Sequence, residues 1–390
     1  MENTQMIVGI VGAGAMGSGI AQIAAQTGWQ VLLLDQSSER LAKSADQLAS
    51  VCDRLVEKGR LESVESVAMQ ERIVRTTDLQ SLASCHLIIE AIVEDFDAKK
   101  GVLQALEEIV GESTVLATNT SSLSVTGLAG VLKHPSRFLG LHFFNPAPLM
   151  ALVEVVPAMQ TDQQHVVQCL DWMKAWGKVP VQAKDTPGFI VNRIARPFYG
   201  EALRIVEEGL ASPHEVDAAM KDAGFKMGPF ELMDLIGNDV NYAVTKSVFE
   251  AFYFDPRYRP SLIQKRHVEA GWLGRKTGRG YYSYQDGKPL ESPFIKTGDW
   301  GWIQNRILAM LMNEALDALA LGIASAPDLE LAMTRGVNYP KGLLEWANEW
   351  GLDVVLEQLQ KLQSSYGEDR YRPAPLLQDL VQSKKSLEIH

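Results

Sequence analysis

The amino-acid sequence predicts an α/β doubly wound domain followed by two tandem all-α domains, and three observations carry the prediction. Short β-branched runs alternate with helical stretches through the first half, the pattern of βαβ units in a largely parallel sheet. A glycine-rich turn separates the first of those runs from the first helix. The second half of the 390-residue chain repeats itself at a nearly fixed spacing.

The strand runs are Met6–Val11, Val31–Leu34, Arg72–Thr76, Leu87–Ile92, Val115–Ala117, Phe138–Phe144, Leu152–Val156 and Val179–Gln182. Between them, stretches such as Ser18–Gln26, Glu39–Glu57 and Lys99–Val110 place apolar residues three and four apart, the spacing of a helix with one buried face. After Thr186-Pro187-Gly188 the strand signals stop, and amphipathic stretches follow at Phe189–Glu208, Pro213–Asp222 and Asn238–Tyr253. Tyr281 to Gly298 is rich in Gly, Pro, Ser and Lys and reads as a loop, with helical pattern resuming at Trp302. Asn192-Arg193, Glu201-Ala202-Leu203, Gly209 and Arg257-Tyr258-Arg259-Pro260 return 113 residues later as Asn305-Arg306, Glu314-Ala315-Leu316, Gly322 and Arg370-Tyr371-Arg372-Pro373. Glu231 and Gly237 return as Glu345 and Gly351, after a slip to 114. The expected division is a nucleotide-binding domain over 1–186, a first helical copy over 187–284, a linker over 285–299 and a second copy over 300–390.

Composition narrows the function. The 37 Lys and Arg against 48 Asp and Glu leave a net charge of −11, the wrong sign for binding that rests on neutralising phosphates, so nucleic acid is not an expected partner. Cys52, Cys85 and Cys169 are isolated, with no spacing that completes a metal set, so no metal is expected. The start, Met1-Glu2-Asn3-Thr4-Gln5, has no basic and apolar signal segment, and the glycines of Ile7 to Ala25 suit no membrane span. The expected location is the cytoplasm.

Gly12-Ala13-Gly14-Ala15-Met16-Gly17 opens a helix directly after a strand, and Asp35 closes the next strand 18 residues beyond Gly17. The first glycine permits the tight turn, the second lets backbone approach a pyrophosphate, and the third lets helix and strand pack closely. This is a Rossmann-type fingerprint for a dinucleotide. A carboxylate at Asp35 would bond ribose hydroxyls and repel a 2′-phosphate, so the expected cofactor is NAD.

Polar clusters close three further strands: Thr118-Asn119-Thr120-Ser121-Ser122, Leu141-His142-Phe143-Phe144-Asn145-Pro146 and Leu152-Val153-Glu154-Val155-Val156. If the last two strands pair antiparallel about residue 148, His142 and Glu154 sit opposite each other. A carboxylate on one ring nitrogen fixes the tautomer and equips the other for proton transfer near neutral pH. A hydrolytic triad is the rival for Ser, His and Glu, but no G-x-S-x-G elbow surrounds Ser121 or Ser122.

GAGAMG, Thr118 to Leu123, His142 to Pro146 and Asp185-Thr186-Pro187-Gly188-Phe189-Ile190-Val191-Asn192-Arg193 together resemble the 3-hydroxyacyl-CoA dehydrogenase family. Met227-Gly228-Pro229-Phe230-Glu231-Leu232 and Gly274-Arg275-Lys276-Thr277-Gly278 extend the likeness, and the two helical copies look most like the phenylacetate-degradation type, which acts on 3-hydroxyadipyl-CoA. The resemblance implies that His142 abstracts the 3-hydroxyl proton while Glu154 orients it, and that Ser121 and Asn192 hold substrate oxygens. It implies dinucleotide contacts from Glu94, Lys99, Ser121, Asn145 and Lys276, and a coenzyme A contact from Lys58, for which a solvated helix-end charge is the competing reading. Val51 stands where the family carries a serine for coenzyme A.

The implied reaction is reversible NAD-dependent oxidation of a (3S)-3-hydroxyacyl-CoA at a cleft between the doubly wound domain and the first helical copy. The second copy lacks the Asp-Thr-Pro-Gly motif, carrying Gly298-Asp299-Trp300-Gly301 in its place, and no dinucleotide domain precedes it. The resemblance therefore implies either a homodimer or a monomer whose second copy stands as an internal partner. A 3-hydroxybutyryl-CoA dehydrogenase of short-chain metabolism and a non-catalytic, NADH-binding crystallin-like member are the competing readings.

Overall fold

The structure, a computed structural model, describes residues 5–290 and 299–389. The chain divides into two compact units, Met1–Thr186 and Pro187–His390. In the first, strands β1 (Ile7–Val11), β2 (Gln30–Leu34), β3 (Ile73–Thr76), β4 (Leu87–Glu90), β5 (Val115–Thr118), β6 (Phe138–Phe143), β7 (Leu152–Pro157) and β8 (Val179–Gln182) form one sheet. Its order is β3-β2-β1-β4-β5-β6-β7-β8, the doubly wound order extended by two strands beyond β6. Neighbours run parallel except β6 and β7, which are antiparallel. Strands β4 and β5 are buried at every residue, as a parallel sheet covered on both faces requires.

The covering helices are α1 (Ala15–Gln26), α2 (Ser38–Glu57), α3 (Ser63–Glu71), α4 (Phe96–Glu107), α5 (Val125–Ala129) and α6 (Gln163–Ala175). Helix α1 begins three residues before the expected Ser18 because the glycine turn runs straight into it. Helix α4 begins at Phe96 rather than Lys99, since Asp95 caps it by accepting from the Ala98 amide at 2.8 Å.

The second unit is helical. The stretch expected as one helix over Phe189–Glu208 is two, α7 (Val191–Ile194) and α8 (Arg196–Glu207), because Pro197 has no amide to continue the ladder across Ala195. There follow α9 (Pro213–Asp222), α10 (Pro229–Ile236), α11 (Asn238–Ala251) and α12 (Leu262–Glu269). Helix α11 stops short of the expected Tyr253, where the chain turns through positive φ at Tyr253 and Phe254. Of the loop expected over Tyr281–Gly298, Tyr284–Gln285 and Lys288–Pro289 pair as a two-residue ribbon, while 291–298 lie outside the described residues.

The second copy comprises α13 (Gly301–Ala320), α14 (Ala326–Leu331), α15 (Leu343–Trp350), α16 (Leu352–Tyr366) and α17 (Pro375–Ser383). Helix α13 is buried on nearly all sides, which makes it the central rod of this unit, and it packs on α8. The repeat extends to backbone detail. Gly237 (φ 104°) and Gly351 (φ 90°) precede α11 and α16, and at each a Cβ would stand 2.8 Å from an Asp oxygen, of Asp239 and Asp353 respectively.

Two buried ion clusters join the copies. Arg193 Nε and Tyr258 Oη of the first copy donate to Glu314 of the second at 2.7 and 2.6 Å, and Arg257 reaches Glu314 and Asp317. In the related cluster Arg306, Arg370 and Tyr371 of the second copy donate to Glu201 of the first, and Arg306 also holds Glu208. Each base in one cluster stands 113 residues from its counterpart in the other.

Candidate active site

The glycine turn lies where β1 meets β4, the crevice at which the sheet's winding reverses. Gly12 has φ +105°, and a Cβ there would stand 2.7 Å from the Ala91 carbonyl oxygen. At Gly17 a Cβ would lie 1.8 Å from the Gly12 carbonyl oxygen, so only glycine lets α1 start this close to β1. Gly14 differs, because a Cβ built on it meets nothing within 4 Å. That open space lies at the first turn of α1, whose cap has no side-chain hydrogen bond and whose first turn carries no acid. Unspent amides, dipole and room together fit a pyrophosphate. Between these glycines, Ala13, Ala15 and Met16 carry the turn into the helix. The Asp35 carboxylate accepts from the amides of Ala13 and Ser37, both at 2.9 Å, and so ties the end of β2 to the turn.

On the far side of β4, Glu94 gathers the loop after β5. Its Oε1 accepts from Thr120 Oγ1 (2.7 Å), the Ser121 amide (2.9 Å) and the Ser122 amide (3.0 Å). Burial opposes its charge, but the Thr120 hydrogen bond, the Lys99 ammonium and the bonds from Ser121 and Ser122 hold its carboxyl below the usual range. Lys99 is anchored within this domain by two carboxylates. Its Nζ is buried, 2.7 Å from Glu90 and 3.3 Å from Glu94. Glu90, fully buried at the end of β4, also accepts from Thr118 Oγ1 at 2.7 Å and the Ile92 amide. Sequence reasoning passed over Glu90, although a glutamate ending an apolar strand was the available signal.

His142 and Glu154 are cross-strand partners in β6 and β7, and His142 Nδ1 lies 2.6 Å from Glu154 Oε2. Both are buried. Asn119, another residue outside the expected set, accepts from the Phe143 amide at 2.9 Å and ties the end of β5 beside the histidine. The loop after β6 carries exposed Asn145 and packs onto α1, where a Cβ on Gly19 would touch Pro148 at 3.0 Å and Ala147 at 3.2 Å. Lys178 secures that loop from below, donating to the Ala147 and Met150 carbonyls at 2.7 and 2.8 Å; burial pushes its ammonium down to about 8.

Lys58 is exposed at the C-terminal end of α2. In the helical unit Asn192 is half-buried on α7, and Lys276 Nζ is held by Asp239 at 2.6 and 2.7 Å. A separate groove of about 690 Å³ in this unit, bordered by Arg204, Tyr242, Lys246, Phe254 and Lys265, contains none of the expected site residues. Among the described residues no helix is long and apolar enough to cross a membrane.

A dinucleotide cradle at the switch point, in a domain that also holds a carboxylate-bound histidine, defines a nicotinamide-dependent dehydrogenase. The chain belongs to the 3-hydroxyacyl-CoA dehydrogenase family. The family's NAD-binding domain matches residues 7–186, and its C-terminal domain matches twice, over 188–284 and 301–388. The chain is 38% identical to the 3-hydroxyadipyl-CoA dehydrogenase of Escherichia coli K12, over 97% of each chain. It is 41% identical to a probable 3-hydroxybutyryl-CoA dehydrogenase of Deinococcus radiodurans, over 72% of this chain and all of that one. A crystal structure described as 3-hydroxybutyryl-CoA dehydrogenase from Escherichia coli K12 superposes with a TM-score of 0.92 at 37% identity, covering 98% of this chain and 99% of that one. The protein is an NAD-dependent enzyme that oxidises 3-hydroxyacyl-CoA.

Proposed function

We propose that His142 is the proton-transfer residue of this reaction, and the observation that carries the reading is its 2.6 Å contact with Glu154. An ionised carboxylate can only accept, so Nδ1 carries the proton and Nε2 keeps the lone pair that removes the 3-hydroxyl proton. Bound NAD supplies the hydride acceptor. As the imidazolium forms, Glu154 stabilises it without leaving its strand position. Ser121 and Asn192 hold the substrate oxygens. Glu94, Asn145, Asp35 and Lys276 bind the dinucleotide with the Gly12–Gly17 turn, Lys99 acts through Glu94, and Lys58 meets coenzyme A. His142→Gln should lower kcat by about 10²- to 10⁴-fold, with the NADH dissociation constant from fluorescence titration unchanged. A variant as active as the parent overturns the assignment.

For the acyl group, the reading best supported is a six-carbon chain ending in a second carboxylate, since the relative matching over 97% of both chains is named for 3-hydroxyadipyl-CoA. The structure described as a 3-hydroxybutyryl-CoA dehydrogenase favours a short monoacid as the alternative. The crossed ion clusters support a monomer whose second helical copy serves as internal partner. Three buried free thiols support the cytoplasm as its location.

A further inference from the structure

Arg196, at the start of α8, is buried at 6% exposure. Arg193, Arg306 and Arg370 in the same unit each face a carboxylate. Arg196 has the Thr245 hydroxyl at 3.0 Å and the face of the Tyr199 ring at 5.0 Å, and its Nε has no partner. The Tyr339 hydroxyl, contributed by the second copy, is likewise buried without a partner and lies within electrostatic reach of Arg196. A guanidinium taken out of water without a counter-carboxylate is costly. Two orphan donors of this kind, each buried and within electrostatic reach of the other, call for an anion.

The duplication supplies an internal comparison. The residue 113 positions after Arg196 is Ala309, and Phe225, 114 positions before Tyr339, stands opposite it in a ring contact at 4.9 Å. Both polar groups are thus present on one side of the pseudo-twofold and absent on the other. The side that has them is the side of Asn192. A group needed only to hold the copies together would have been retained on both sides, as the ion clusters are.

We infer that Arg196 and Tyr339 receive the distal carboxylate of a dicarboxylic 3-hydroxyacyl-CoA. The inference rests on the reading of Asn192 as a substrate contact. Asn192 lies on α7 and Arg196 opens α8, but Ala195 between them keeps right-handed helical angles (φ −76°, ψ −9°), so the two positions, four apart in sequence, stay one turn, about 6 Å, from each other. Three carbon–carbon bonds separate C3 from the terminal carboxyl of a six-carbon diacid, so a chain held at its oxygen by Asn192 brings that carboxylate toward the guanidinium one turn on. Arg196 Nε–H and the Tyr339 hydroxyl then donate to it, and the buried charge gains its counterion. A monoacid of four carbons has nothing to place there.

The test measures kcat/KM with NAD for 3-hydroxyadipyl-CoA and 3-hydroxybutyryl-CoA in the parent, Arg196→Met and Tyr339→Phe, alongside thermal unfolding. Arg196→Met should cut the diacid value by about 10²-fold, mostly through KM, and change the butyryl value by less than about threefold. Tyr339→Phe removes only an unpartnered hydroxyl, so it should fold as the parent does and cost the diacid about tenfold. Equal losses on both thioesters would overturn the inference, whether they arise from a structural arginine or from a resident inorganic anion, and so would unchanged selectivity. An Asn192→Ala variant as active as the parent on both thioesters would instead overturn the reading of Asn192 as a substrate contact.

Discussion

The glycines of the turn do different work at the scale of one methyl group. An alanine at Gly17 drives its Cβ into the Gly12 carbonyl, so Gly17→Ala should lower the unfolding temperature sharply. Gly14→Ala meets no protein atom, so it should unfold with the parent while raising the NADH dissociation constant tenfold or more, because its methyl takes up phosphate room. Differential scanning fluorimetry and fluorescence titration separate the two effects. The shape of the turn was legible in the sequence because strand, spacing and Asp35 point the same way. The Glu90–Lys99–Thr118 knot was not, since its members are 9 and 28 residues apart along the chain and only the parallel order of β4 and β5 brings them together.

At the scale of elements, the antiparallel turn between β6 and β7 fixes the His142–Glu154 pair, and simple counting about residue 148 foresaw it. Helix ends were harder to read, because they depend on caps such as Asp95 and on the missing amide of Pro197. Asp217 shows another kind of cap that arithmetic does not reveal. From α9 it accepts from the amides of Phe230 and Glu231, at the head of α10, and from the Tyr282 hydroxyl. Its repeat equivalent Glu330 does the same for Leu344 and Glu345 at the head of α15. Burial pushes Asp217 up to about 7, outweighing those hydrogen bonds. The folded state therefore binds a proton that the unfolded chain gives up near pH 4. This group's contribution is complete below that pH and declines as pH rises through about 7. Denaturant unfolding should show parent stability falling from pH 5 to 8 by at most about 1.4 kcal/mol per unit from this site, a slope that Asp217→Ala removes.

For the molecule as a whole, the repeated Arg-Tyr and Glu positions in the sequence announced a duplication but not where its charges go. Read as surface residues, they would count for little. The structure buries Arg193, Glu201, Arg306, Glu314 and Arg370 and crosses them between copies, a long-range pairing that no local pattern encodes. In Glu314, burial opposes the charge, but Arg193 and Arg257 hold the carboxyl below its usual range. Glu314→Ala leaves Arg193 and Arg257 to share the half-buried Asp317 alone and should cost at most about 3–5 kcal/mol in unfolding free energy, read from urea denaturation. The same crossing constrains how this gene can change. Since each half keeps the counterions of the other, neither half can drift on its own schedule, and deleting either would leave its sibling with stranded charge. A duplication that began as redundancy has become mutual custody, in which neither helical half can be spared.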